Sequence, residues 1–540
     1  MVKLKNLPAL VLVAACALLP WRMLRGAENE PHVEFHTSDR CMACHNQLTT
    51  SQGQDVSIGI DWRASIMANS ARDPYWQASI RRETIDHPSV TEDIQDECSA
   101  CHMPVTRYGA RIHNEKGPVF KFLPFPAKDQ EAAFAEDGVT CSVCHQITKE
   151  RLGTRESFNA GFVVEHPPAA NDHPEFGPFI VTPGRQLIMD SSTGGFRPTY
   201  AEHIRDSALC GSCHQLYTTA RGEGGKDVGQ LPEQMPYLEW LHSDYPAKSS
   251  CQQCHMPEVH EAIDISSVMG TPREGMHQHT FVGDNFFMEG MLNRYHGELD
   301  VAALPQELSA AQQRTLEFLH TQAAEVELRN VEVAGGRLQA DVFVENLTGH
   351  KLPTAYPSRR AWLHVVVRDR NGRAVFESGA LNPDGSIAGN DNDADKTRFE
   401  PYYREITSSD QVEIFEDILG DQQGRVTTGL LEGVRYLKDS RLLPNGFDKR
   451  TAVSDIAVVG DAFDDPNFAA GGALVRYSVP LSDAQGPFHI EAEIWYQPIG
   501  FRWAHNLEPY DAMEPKRFVS WYSAMSKETA TMLAKAEASR

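Results

Sequence analysis

From Glu325 onward the apolar positions of this chain recur every second residue; before it they recur with helical spacing or with no period at all. Val326, Leu328, Val331 and Val333 lead into Ala334-Gly335-Gly336, and Leu338, Ala340, Val342 and Val344 alternate beyond it, which predicts a strand, a tight turn and a strand. Residues 361–369 and 374–376 flank Arg370-Asn371-Gly372, where Asn-Gly favours a tight hairpin. Residues 411–418, 456–459, 473–479 and 488–496 read as further strands. The expectation is an all-β, sandwich-like domain over 325–540 with a long insertion at about 381–463. Upstream, Ala311, Leu316 and Leu319 predict a linking helix over 309–324 with Ser309 as its cap, inside a linker of 301–324. Residues 61–80 and 232–243 also read as helical, and 166–184, rich in Pro and Gly, as loop.

The N-terminus differs from both patterns. Lys3 and Lys5 precede an apolar run from Leu7 to Pro20, too short to span a bilayer comfortably. That is the layout of an export signal over 1–27. Val13-Ala14-Ala15-Cys16 resembles a lipobox, which would make the protein a lipoprotein through Cys16; cleavage near 24–27 and an uncleaved anchor are the other readings. A periplasmic, outer-membrane or cell-surface location follows from any of them. Composition adds little about fold, with 41% apolar and 23% charged residues in 540. Charge says more about partners: 50 Lys+Arg against 74 Asp+Glu give −24, which disfavours nucleic acid and steers cationic partners in.

Apart from Cys16, every cysteine belongs to a C-x-x-C pair: Cys41/Cys44, Cys98/Cys101, Cys141/Cys144, Cys210/Cys213 and Cys251/Cys254. Disulfides are the default for an exported chain, and two such pairs could bind one zinc. Neither explains the residue that follows each pair, which is His45, His102, His145, His214 or His255. With 22 histidines in 540 residues, five such coincidences have a chance of about one in ten million. C-x-x-C-H is the attachment signature of c-type haem: two thioethers hold the porphyrin, and the adjacent neutral imidazole ligates iron. The cofactor expectation is five covalently bound haem c groups.

Three further segments bear on the iron positions opposite these histidines: "AEHIRDSALCGSCH" from Ala201, "HQHTFVGDN" from His277 and "ENLTGHKLPT" from Glu345. With the motifs, they resemble the multihaem cytochrome c superfamily of hydroxylamine oxidoreductase and its tetrahaem electron-acceptor relatives, over roughly 35–355. The resemblance implies that His203, His279 and His350 are distal iron ligands. It also implies a histidine where "DWRASIMANSARDP" has Met67, so Met67 is either a thioether ligand or ordinary core. His113 is the first candidate for the fifth iron; His87, His166 and His173 are alternatives, and His277 could replace His279. Met103 and Met256, directly after proximal histidines, lie on the wrong side of the ring to bind the same iron and read as packing.

The fold class is therefore expected to be multidomain: a mainly α, loop-rich pentahaem cytochrome c domain at 31–300, then the all-β domain. Asp391, Asp393 and Asp395 have the alternating oxygens of a calcium loop, but Lys396 and Tyr402 occupy the glycine and glutamate positions, so calcium is a weak expectation. The function this implies is electron transfer through a chain of haems, with no catalytic residues. The redox partner would be a basic cytochrome or a membrane quinol oxidoreductase. The alternative is an oxidoreductase acting on a small nitrogen or sulfur compound at one open haem, with His87, His113 or Tyr108 lining the pocket.

Overall fold

The computed structural model describes residues 35–125, 130–165 and 173–540. The export segment and His166 lie outside the described residues. Among those described, no helix is long and apolar enough to cross a membrane.

The period-two region forms two facing sheets. In one, Glu405–Ile406, Gly472–Pro480, Arg337–Asn346 and Ala324–Ala334 lie side by side; in the other, Ala374–Ser378, Arg360–Arg368, His489–Gln497 and Thr531–Ser539. Leu338, Val342, Val344, Val475, Tyr477 and Val479 from the first sheet share one buried cluster with Leu363, Val365, Val367, Ile490, Ala492 and Ile494 from the second. Alternation along each strand turns those side chains inward. The first hairpin turns on Gly335 and Gly336, both at positive φ (57° and 75°), as a primed turn requires.

The second sheet is also covered on its outer face. Trp362, fully buried, packs there with Ile387, Val412 and Ile414 and donates its indole N–H to the Gly379 carbonyl at 2.8 Å. The insertion supplies this cover. It carries its own small sheet of Asp417–Gly420, Val426–Thr427 and Arg435–Asp439.

Several expectations need correction. The C-terminal region is not all β, because Phe501–His505 and Met513–Ala524 are helices. The second of these leans on the first half of the chain: Glu514 takes both guanidinium nitrogens of Arg81, at 2.8 and 3.0 Å, and Phe518 packs on Tyr75. Nor is the first half purely helical, since Leu216–Arg221 pairs with Asp227–Gln234, and His173–Gly177 runs parallel to Phe196–Tyr200 inside the expected loop. The expected helix over 61–80 breaks into Ile58–Arg63 and Pro74–Asp86, because Asp73 caps and Pro74 begins a new helix. Pro236 likewise starts Pro236–Leu241 four residues later than the helix expected from 232. The linking helix spans Pro305–Gln322 with Leu304 at its cap, leaving Ser309 inside it. Residues 456–459 form only a bridge between Val459 and Asp439.

The largest apolar cluster does not stop at the sandwich. Tyr75, Phe158, Tyr217, Tyr237, Phe286 and Met291 continue it into the first half, so the halves share a core. One buried ion pair fixes the insertion to the sandwich: Arg360 grips Asp393 through two parallel bonds of 2.8 Å and donates Nε to Gln497. Arg360→Met is expected to lower stability by about 3–5 kcal/mol, because it strands the buried Asp393 carboxylate. Arg360→Met/Asp393→Leu should recover most of that loss. Denaturant unfolding of the haem-loaded protein checks both, and equal losses in the two variants would show that the pair is not what matters.

Candidate haem sites

Each C-x-x-C-H lies on or beside a short helical turn, which brings the two cysteines onto neighbouring points of one turn. Cys141–Gln146 and Cys251–His255 are such turns in themselves, and a Ser250–Gln253 capping box starts the second. Cys98, Cys101 and His102 close the longer helix Thr91–His102, while Cys41 and Cys210 sit near the ends of Ser38–Met42 and Ser207–Gly211. All ten cysteines are free thiols, each half-buried, so the disulfide default fails for Cys41/Cys44, Cys98/Cys101, Cys141/Cys144, Cys210/Cys213 and Cys251/Cys254 alike. The Cys254 sulfur instead lies 3.3 Å from the Ser249 hydroxyl, within hydrogen-bonding reach just ahead of its own turn. Among the described residues no three His, Cys, Asp or Glu side chains converge as a zinc site would need.

Four of the proximal histidines are oriented the same way. The Nδ1–H of His45, His102, His145 and His255 donates to the carbonyl of Ile265, Ser70, Phe176 and Val282, at 2.6, 2.8, 2.6 and 2.6 Å respectively. That bond fixes the tautomer and leaves Nε2 with its lone pair, as a metal-ligating imidazole requires. Desolvation keeps these rings neutral: it lowers His45, His145 and His255 below their ordinary value and His102 to about 4. His214 is also lowered to about 4, by desolvation and then by the nearby His255 and Arg359, but has no such carbonyl partner among the described residues.

Two of the residues expected as distal ligands face proximal ones. The His255 and His350 rings are parallel within 8°, with centres 6.3 Å apart; His145 and His279 are 15° apart in plane with centres separated by 6.4 Å. A ring nitrogen lies about 1.15 Å from the centre of a five-membered ring whose bonds are about 1.35 Å. Metal–imidazole bonds of about 2.0 Å on either side therefore call for a centre-to-centre distance of about 6.3 Å. Direct stacking would bring the rings much closer, as Trp76 on His102 does at 4.3 Å. That spacing would suit His255 with His350, and His145 with His279, as opposed ligands of one iron each.

The other distal candidates are placed differently. His203 spends Nε2 on the Ile147 carbonyl at 2.7 Å and meets Phe176 edge-on. Met67 is half-buried in the turns between Ile58–Arg63 and Pro74–Asp86, and its carbonyl accepts from Val139. His113 is exposed at the end of Pro104–Ile112. Of the alternatives, His277 donates Nδ1 to Met256, His173 packs on Phe196 and His87 lies 3.8 Å from Glu83. Met103 is fully buried with Trp76, Ile94 and Phe122, which is the packing role expected. The weak calcium expectation finds no support: Asp393 is held by Arg360, Asp391 by Arg398, and Asp395 by the Thr397 amide and hydroxyl.

The loop that carries His350 is anchored by groups the sequence did not single out. Lys351 is fully buried, with Nζ 2.7 Å from Asp439; Arg441 joins Asp439 at 2.7 Å, Asp417 at 3.2 Å and Glu239 at 3.2 Å. Glu239, on Pro236–Leu241, accepts the Lys351 amide and the Thr354 hydroxyl. Leu352 and Leu442 exchange both backbone bonds, and Asn346 donates to the His350 carbonyl. Gly349 is tightly covered, since a Cβ there would lie 3.0 Å from Tyr245 and 3.3 Å from Trp240 and would need both rings to give way slightly.

The motifs themselves are contiguous. The thiols of Cys41 and Cys141, of Cys101 and Cys213, and of Cys210 and Cys251 are hydrogen-bonding neighbours. Cys144 lies close enough to Cys213 to feel its charge. The first motif therefore adjoins the third, the third adjoins the fourth, and the fourth adjoins both the second and the fifth.

No protein-family model and no curated protein sequence matches the chain. A solved structure does: a penta-heme cytochrome c552 from Thermochromatium tepidum superposes with a TM-score of 0.50 and 14% identity, over 94% of this chain and all of that one. At that identity the likeness is one of fold.

His350→Ala and His279→Ala are each expected to convert one iron in five to a high-spin or water-ligated form, visible in ferric EPR and absorption spectra. Asp439→Asn should broaden the His350 signal without abolishing it. Unaltered spectra in His350→Ala would remove that residue as a ligand.

Proposed function

We propose that the chain is an exported pentahaem c-type cytochrome that relays electrons between redox partners. The observation that supports this best is the contiguity of the five attachment motifs, which leaves no haem isolated from the others. Haem iron, when bound, supplies a one-electron couple at each site. The chain's own residues do the rest. The cysteine pairs would hold each group covalently, the carbonyls of Ile265, Ser70, Phe176 and Val282 orient four proximal imidazoles, and His279 and His350 would be further ligands at two sites. His203, Met67 and His113 remain the proposed caps of the others. The net charge of −24 favours a basic partner, either a cytochrome or a patch on a membrane quinol oxidoreductase. The proposed division is a haem region at 31–300, a linker at 301–324 and a sandwich at 325–540 that contributes His350.

One observation favours a second reading. His214, like His45 and His102, has no imidazole opposed to it at the 6.3–6.4 Å spacing among the described residues, and the guanidinium of Arg359, paired with Asp284 at 3.0 Å, is close enough to lower its pKa. A cation there would attract a small anionic nitrogen or sulfur compound such as nitrite or sulfite.

Haem quantification of the purified protein is expected to give five per chain, and a redox titration several overlapping one-electron steps with mostly low-spin iron. Fewer than five haems, or reduction in a single step, would overturn the relay. A dominant high-spin ferric signal that shifts on adding nitrite or sulfite would instead establish the second reading.

A further inference from the structure

We propose that the face around the first attachment motif is the docking port for a basic redox protein; this rests on the relay reading above. Among the described residues thirteen large apolar side chains are exposed, and six of them belong to this face: Ile180, Leu187, Ile188, Tyr200, Val268 and Met269. Ile180 is 70% exposed, Leu187 and Met269 65% each, and the helix Pro183–Thr193 buries none of its residues. Scattered apolar residues need no explanation, but a contiguous patch does.

Contiguity is built in. Arg185 on that helix donates Nε to the Met269 carbonyl at 2.9 Å, and Arg273 donates Nη2 to the Ile180 carbonyl at 3.0 Å. These bonds tie the helix segment to the loop at 266–273, and both arginines stay half-exposed at its edge. The patch is therefore a fixed surface, which lowers the entropy lost on docking.

The same two segments frame the first motif. The Cys44 carbonyl accepts from the Ser267 amide at 2.8 Å and its hydroxyl at 3.0 Å, and Ile265 receives the Nδ1–H of His45. On the other side Arg40 donates to the Ser192 carbonyl at 2.6 Å, at the end of the exposed helix. Apolar surface thus borders the attachment site that stands at one end of the contiguous series. On the segments that carry the face and the motif, Asp39, Glu202, Asp206, Glu258, Asp264 and Glu274 are exposed, against exposed Arg40 and Arg205 and half-exposed Arg185, Arg197 and Arg273, so carboxylates are in excess. An apolar centre with that excess of carboxylates, on a chain of charge −24, fits a partner with an apolar contact surface inside a ring of lysines. A membrane is the poorer occupant, because anionic lipid would be repelled by those carboxylates.

The test uses the haem-loaded protein with oxidised basic mitochondrial cytochrome c as probe. The dithionite-reduced protein loses one electron for each ferricytochrome reduced, followed by stopped flow. Leu187→Gln/Met269→Gln and, separately, Glu274→Lys are expected to lower the second-order rate constant about tenfold. Salt should slow the wild type and slow Glu274→Lys less. Direct reduction by dithionite and the haem spectra should be unchanged in both. Variant rates equal to wild type would overturn the port while leaving the relay standing. So would a wild-type dimer that the apolar variant splits without loss of rate, or wild-type binding to phosphatidylcholine vesicles that the variant abolishes at unchanged rate. A wild-type protein that dithionite cannot reduce would overturn the relay and the port together.

Discussion

Two imidazoles with parallel rings, their centres apart by the span of one metal ion and its two bonds, dictate how the second half of this chain sits on the first. His255 comes from the last attachment motif and His350 from a loop after the second strand of the sandwich, yet their ring centres are 6.3 Å apart and their planes within 8°. Coordination bonds tolerate errors of only a few tenths of an ångström. A sandwich on a flexible tether could not keep that spacing. The shared apolar core, running from Tyr75 and Phe286 through Val342 and Ile494, is the large-scale consequence; Gly349, where a Cβ would press on the Tyr245 ring, is the local one.

Apolar packing does not by itself fix a loop to that tolerance, because greasy surfaces can slide. Directional bonds do, and the chain spends buried charge on them. Lys351 and Arg441 sit out of water among Asp439, Asp417 and Glu239, although a buried ion pair commonly contributes little net stability once desolvation is counted. What the network supplies is registry. It joins the His350 loop, the insertion and the helix just before the last motif, so a shift of any one of them breaks short, charge-assisted bonds. Burial opposes ionisation of Asp439, yet Arg441 and Lys351 hold its carboxyl down at about 2, so these bonds stay charge-assisted through the neutral range.

The part of the site that was legible in the sequence is the part whose chemistry is local. Two thioethers and one imidazole must come from a single turn, so Cys-x-x-Cys-His records them within five residues. Hairpins are local in the same sense, and the Gly335-Gly336 and Asn371-Gly372 turns stand where the pattern put them. The facing imidazoles needed a resemblance to be suspected, since nothing near His279 or His350 encodes the proximal ring that each one opposes. Glu239, Asp439 and Arg441 carried no signal at all, being ordinary surface-type residues until the fold buries them together. The edge strand Thr531–Ser539 escaped because small alanines fill its alternate positions and give period two little contrast. The helix over 61–80 failed for a different reason: its apolar spacing continues through Asp73-Pro74, where backbone chemistry overrides periodicity.

The exception among the proximal histidines follows from the same physics. A carbonyl that accepts Nδ1–H makes an imidazole the richer electron donor, which favours oxidised iron. Four motifs have that carbonyl, and the fourth motif does not. Arg359 lies near His214 as well, but its guanidinium is paired with Asp284 at 3.0 Å, so the pair brings little net charge. That missing carbonyl falls at the junction that adjoins the second, third and fifth motifs. In a relay, a junction that holds electrons more readily than its neighbours collects them from every branch. Among the described residues, the proximal imidazole without a carbonyl partner thus stands where the branches meet.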